Sequence, residues 1–101
     1  MWLFVFFDLP TNTKKERHDA AHFRKNLMRD GFTMLQYSVY IRHCASRESA
    51  DVHKNRVNKF MPSKGQVSIM MITDKQYSLI ENFWGCISDP LPDAPKQLEL
   101  F

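Results

Sequence analysis

The run Met1-Trp2-Leu3-Phe4-Val5-Phe6-Phe7 opens the chain, and Asp8 closes it before Leu9-Pro10 breaks the pattern. A stretch this rich in aromatic and branched residues has no wet side, so it reads as a strand buried on both faces. Asp8 then falls at the rim of a sheet, where a carboxylate is costly without a cation or donor close by. Two readings stay open for it. Its side chain can cap the turn that ends the strand, or the charge is kept there because chemistry needs it.

Outward from that strand, Thr11-Asn12-Thr13 supplies cap residues, and Lys14 to Asp30 reads as a helix closed by Gly31, the residue best suited to a left-handed cap. Ala20, Phe23 and Leu27 define its core face. Phe32 to His43 is strand-like, but Gln36 and Ser38 interrupt it, which predicts two short strands. A second helix spans about Arg47 to Phe60, with Ala50, Val57, Phe60 and Met61 on one stripe and Pro62 through Gly65 ending it. His53 falls inside that stripe and reads as a packed side chain. Gln66 to Thr73 is the next strand, nearly as apolar as the first. Thr73 and Gln76 form a capping box for a short helix from Asp74 to about Asn82. Pro90, Pro92 and Pro95 mark an extended tail, and the alternation in Gln97-Leu98-Glu99-Leu100-Phe101 predicts an edge strand.

The order β-α-β-β-α-β plus a C-terminal strand predicts an α+β, ferredoxin-like fold with an antiparallel sheet. Residues 1–82 form the domain in this reading, and residues 83–101 a tail whose strand is exchanged with a partner subunit. Both helices of such a fold cover one sheet face, so its strands should alternate apolar and polar. These do not: Leu3, Val5 and Phe7 are matched on the other side by Trp2, Phe4 and Phe6. The second face needs a cover. The same face of a second copy, in a two-fold homodimer, is the simplest one; a lid made from residues 74–101 is the alternative.

With 101 residues the chain suits one domain with one core. Cys44 and Cys86 are too few and isolated for a disulfide framework or a zinc site and read as reduced packing residues. The apolar start lacks the basic flank and length of a signal peptide or membrane span, so no membrane association and a cytoplasmic location are expected. Net charge is only +3, yet residues 1–64 hold 12 Lys/Arg against 6 Asp/Glu, whereas residues 65–101 hold 2 against 5. That polarity favours a polyanion on one side of the molecule.

On a helical wheel Lys14, His18, His22, Lys25 and Arg29 form one stripe, with Arg17 and Arg24 between it and the core face. A solvated helix face accounts for the outer stripe, whereas Arg17 and Arg24 can reach the sheet rim. His18 and His22 have the spacing of two metal ligands, but Asp19 stands where the zinc-protease motif has glutamate, and no third ligand is near in sequence.

The segments Phe6-Phe7-Asp8-Leu9-Pro10-Thr11, Thr13-Lys14-Lys15, Phe23-Arg24-Lys25, Gly31-Phe32, Gln36-Tyr37-Ser38-Val39-Tyr40 and Gly65-Gln66-Val67 together resemble the small CRISPR-associated Cas two (Cas2) family. The resemblance covers essentially the whole chain, and its last five residues point to the branch found in type II systems. It implies a ferredoxin-like homodimer that partners the adaptation integrase Cas one (Cas1), bridges two integrase dimers and holds the middle of a double-stranded DNA prespacer during spacer acquisition. It further implies a divalent-metal-dependent endonuclease acting on RNA or DNA, with the strand-ending aspartate, Asp8 here, as metal ligand.

For such chemistry Mg2+ suffices with one or two carboxylates plus substrate phosphate, so a pair of Asp8 side chains across a dimer axis is a sufficient donor set. Arg17 and Arg24 would stabilise developing charge as the other catalytic groups. No general base lies beside Asp8 in sequence, which makes the scaffold the main role and cleavage a latent one. Phosphate contacts are expected from Lys14, Lys15, Arg17, Arg24, Lys25, Arg42 and Arg56. An alternative, a non-catalytic RNA-binding domain of the same fold, lacks its basic-Gly-aromatic strand signature here. A small-molecule regulatory domain would not require the basic first helix.

Overall fold

In the computed structural model the described residues are 1–85. The exchanged edge strand expected at residues 97–101, and Cys86, lie outside them. Four strands and three helices follow in the order β1 (Trp2–Asp8), α1 (Lys14–Arg29), β2 (Thr33–Gln36), β3 (Val39–His43), α2 (Arg47–Lys59), β4 (Gln66–Ile72) and α3 (Asp74–Ser78). The sheet order is β2-β3-β1-β4, with every neighbouring pair antiparallel. The expected α+β, ferredoxin-like architecture is thus the observed one.

The most apolar strand, β1, lies inside the sheet, paired on both edges, with one face in the core and the other only partly covered. Leu3, Val5 and Phe7 meet Phe23, Leu27, Phe32, Tyr40 and Val57 in one core. Each such side chain removed from water contributes roughly 1.5–3 kcal/mol before conformational entropy is counted. Of the predicted stripes, Ala20, Phe23 and Leu27 on α1 and Ala50, His53 and Val57 on α2 are buried, whereas Phe60 is only half-buried against the core and Met61, beyond the end of α2, is exposed. α1 starts at a capping box in which Thr13 accepts from the Glu16 amide while Glu16 accepts from Thr13. Cys44 is buried, and its burial raises the thiol above its usual pKa, which suits a reduced packing residue.

The second sheet face is partly roofed by the chain itself. Tyr77 of α3 stacks on Trp2 with ring centroids 3.8 Å apart and lies beside Phe4. Asp74 anchors that helix, accepting from the Met1 amine at 2.8 Å with His43 Nε2 at 3.3 Å, and the amine bond holds its carboxyl below the usual range. Phe4 and Ile41 are buried on this face, whereas Met70 and Ser68 stay exposed. α3 is shorter than the stretch to Asn82 that the sequence suggests. The Ser78 hydroxyl donates to the Lys75 carbonyl at 2.6 Å, and the Leu79 amide turns back to Gln76, three residues away. That local competition tightens and ends the last turn.

Candidate nucleic-acid interface

Asp8 is the last residue of β1, opposite Gln66 of β4, and its side chain is exposed. Its backbone is held from two sides. The Phe7 amide donates to the Ser38 carbonyl at 3.0 Å, which ties the β2–β3 turn to the end of β1. On the other side Gly65, at φ +91°, lies so close that a β-carbon there would come within 2.7 Å of the Asp8 carbonyl oxygen. An open cleft of about 330 Å3 results, lined by Phe6, Asp8, Tyr37, Ser38, Gln66 and Ser68 among others.

Arg24 reaches the rim of this cleft from α1. Its Nη2 donates to Ser38 Oγ at 3.4 Å, and its guanidinium carbon lies 5.3 Å from the Phe7 ring centre and 4.5 Å from that of Tyr37. Its Nε is buried without a hydrogen-bond partner. Arg17 donates to the Thr11 and Asn12 carbonyls at 3.1 and 3.2 Å, so it braces the loop that leaves Asp8. Lys14, Lys15 and Lys25 are exposed. Among the described residues none of Lys14, Lys15, Arg17, Arg24 and Lys25 makes an ion pair.

Arg42 and Arg56 lie elsewhere, gathered around Asp30 at the end of α1. Arg42 donates to the Asp30 carbonyl at 2.7 Å, Arg56 reaches Oδ1 at 3.0 Å, and His53 Nδ1 lies 2.8 Å from Oδ2. The structure thus puts Asp8 in one cleft and Arg24 against the Tyr37 and Ser38 that line it, sets Arg17 on the adjoining loop, and draws Arg42 to the backbone carbonyl and Arg56 to the carboxylate of Asp30. His53 is packed, as its stripe implies, but it also carries that carboxylate contact. Sequence reasoning missed two features here. One is Tyr37, 74% exposed at the cleft; the other is Ser38, in the left-handed region at φ 68°. Their signal was the break between two strands at a place where a tight hairpin usually takes Asn-Gly.

The donor set fits a hard cation only in part. Among the described residues no three His, Cys, Asp or Glu side chains gather as a metal cage, and the parallel rings of His18 and His22, 6.2 Å apart, find no third ligand. Asp8 is the one carboxylate among the described residues that line the cleft. Magnesium, which keeps several waters and accepts one or two carboxylates plus phosphate oxygens, suits such a sparse site better than zinc does.

The class defined here is a ferredoxin-like α+β domain with an exposed carboxylate ending an inner strand and, against the wall of the same cleft, a guanidinium without an ion-pair partner among the described residues. Comparison with known proteins narrows it. The family model described as CRISPR associated protein Cas2 matches residues 1–80, and the chain belongs to that family. It is 50% identical over its full length to a protein named CRISPR-associated endoribonuclease Cas2 from Flavobacterium psychrophilum, of which it covers 88%. It is also 50% identical over the full length of both chains to a protein of the same name from Parvibaculum lavamentivorans. In fold it is similar to the crystal structure of Streptococcus pyogenes Cas2 at pH 6.5, with a TM-score of 0.62 at 21% identity, covering 83% of this chain and all of that one.

Proposed function

We propose that this chain works as a homodimer that grips a nucleic-acid backbone at the Asp8 end of its sheet. Its main role is to hold double-stranded prespacer DNA between integrase (Cas1) dimers during CRISPR spacer acquisition, and magnesium-dependent cleavage of RNA or DNA is a second activity of the same site. The observation that carries this reading is the pairing of opposites at one cleft. The exposed Asp8 carboxylate lines it, and Arg24, which has no ion-pair partner among the described residues, lies against Tyr37 and Ser38 of its wall. Apolar Phe6 and the exposed Met70 on the second sheet face support a second copy as its remaining cover. A two-fold axis there would supply two Asp8 carboxylates to one cation.

In this mechanism the chain's own residues bind and orient. Lys14, Lys15 and Lys25 meet phosphates as flexible point charges, and Arg17 keeps the Asp8–Thr13 loop in place. Arg24 is pre-aimed by two rings and Ser38, so its charge can serve a phosphate oxygen with little reorganisation. Bound magnesium would supply Lewis-acid polarisation of the phosphate and a more acidic water. Arg42 and Arg56, already engaged with Asp30, are the weaker members of the expected phosphate-binding set. The endoribonuclease name of the relatives favours including RNA among the substrates tested.

Two measurements test the reading. Duplex affinity across a salt series should fall with a log–log slope of about −0.9 for each phosphate contacted, and a flat response rejects backbone binding. Cleavage by the wild type and by Asp8→Ala, each with magnesium and with chelator, should survive only in wild type with metal; equal rates in all four reactions remove Asp8 from the chemistry.

A further inference from the structure

We infer that Tyr37 is a stacking platform for an unpaired nucleobase, so that the cleft selects a single-stranded nucleotide beside the backbone phosphate it holds. This rests on the reading of the Asp8 cleft as a phosphate site and goes beyond it by naming what the neighbouring base does.

The geometry of the hairpin tip carries the inference. Gln36 pairs with Val39, so Tyr37 and Ser38 form a two-residue connection between β2 and β3. With Ser38 alone in the left-handed region, the turn takes a form that glycine would satisfy without strain. A serine is held there instead, and its carbonyl and hydroxyl are both used, the first by Phe7 and the second by Arg24. The turn is therefore locked to β1 next to Asp8, and the tyrosine beside it is locked in turn.

Tyr37 keeps one ring face near the Arg24 guanidinium, 4.5 Å from its centre, yet 74% of the residue remains exposed. A cation near one face draws electron density from the ring and improves stacking by an electron-rich partner on the other. The cleft that Tyr37 lines also holds Asp8 and Gln66, so a nucleotide with its phosphate near Asp8 and Arg24 has its base within reach of the ring. A base inside a duplex already has both faces stacked and cannot use such a platform. An unpaired base can, and it needs no sequence-specific hydrogen bond to do so.

The test uses the full-length protein with short single-stranded RNA and DNA oligonucleotides carrying 2-aminopurine, and with a blunt, fully paired duplex of the same sequence. Wild type and Tyr37→Phe should quench the fluorophore and bind the single strands alike. Tyr37→Leu, which keeps apolar bulk at an exposed position, should lose the quenching and about tenfold in single-strand affinity, with a clearly smaller loss on the duplex, where only the ring's support of Arg24 is removed. If Tyr37→Leu quenches and binds as wild type does, the platform is overturned while the phosphate site stands. Equal losses on duplex and single strands also overturn it, and a wild type that binds neither removes the underlying site together with the platform.

Discussion

Gly65 presses against the carbonyl of Asp8, leaving no room for a β-carbon: one placed there would sit 2.7 Å from that oxygen and 3.0 Å from Leu9 Cα. Both obstacles are backbone, so neither can swing away. Gly65 also holds φ +91°, where an L side chain is strained. Gly65→Ala should therefore lower stability by about 1–3 kcal/mol, read as a drop in the thermal midpoint followed by far-ultraviolet circular dichroism. Because the displaced segment carries Asp8, magnesium-dependent cleavage should fall as well, even at temperatures where the variant is fully folded.

Ser38 predicts the opposite sign. Its left-handed conformation costs a non-glycine residue about 1–2 kcal/mol, and the bond it returns to Arg24 is long at 3.4 Å. Ser38→Gly should raise stability by up to about 1 kcal/mol in urea titration while weakening nucleic-acid binding, since Arg24 loses its only hydrogen-bonded support at the cleft among the described residues. Gain of stability with loss of binding would mark Ser38 as strained for function.

The sequence states the fold clearly because each element has its own signal. Ala20, Phe23 and Leu27 keep helical spacing and are buried; Gln36 and Ser38 break the apolar run where the chain turns. Asp8 is legible at the rim because a charge ending so apolar a strand has few other places to go. Less legible are contacts between distant residues. Nothing in the local pattern ties Asp30 to His53, 23 positions apart, and helical periodicity alone cannot show Arg56 turning to the same carboxylate. The partial roof from Tyr77 over Trp2 is hidden for the same reason: apolarity on both faces demands a cover without saying which chain segment supplies it.

That Asp30 junction makes a stability prediction of its own. Its carboxylate is nearly enclosed, with 10% of the side chain exposed, and accepts from Arg56 while contacting His53, whose side chain is equally enclosed. Asp30→Ala leaves the His53 ring nitrogen without its partner in the core and should cost about 1.5–3 kcal/mol, seen as a lower urea midpoint at unchanged slope. The Arg42 bond should survive, because it goes to the backbone carbonyl. In a double-mutant cycle with His53→Ala the two losses should fall short of additivity by about 0.5 kcal/mol or more; strict additivity would show that the contact contributes nothing.

Acid should loosen the start of α1 before it unfolds the sheet. Glu16 accepts from the Thr13 and Asn12 amides, each at 3.0 Å, and these bonds, that from Thr13 first, hold its carboxyl below the ordinary value of 4.5. A depressed carboxylate pKa means that the stabilisation is complete above the unfolded-state value and disappears as pH falls through the folded-state value. The loss therefore belongs below pH 4.5 and not near neutrality. The protection factors of the Asn12 and Thr13 amides, taken against the intrinsic exchange rate at each pH, should fall over that range in wild type, while Glu16→Gln, which keeps an acceptor oxygen but cannot titrate, should flatten the dependence. Thr13→Ala removes the reciprocal cap and should cost about 1 kcal/mol at any pH. Since the same loop leads from Asp8 to Lys14 and is braced by Arg17, weakened duplex binding should accompany the loss of protection in the acid range; protection that falls without any change in binding would separate the cap from the phosphate grip.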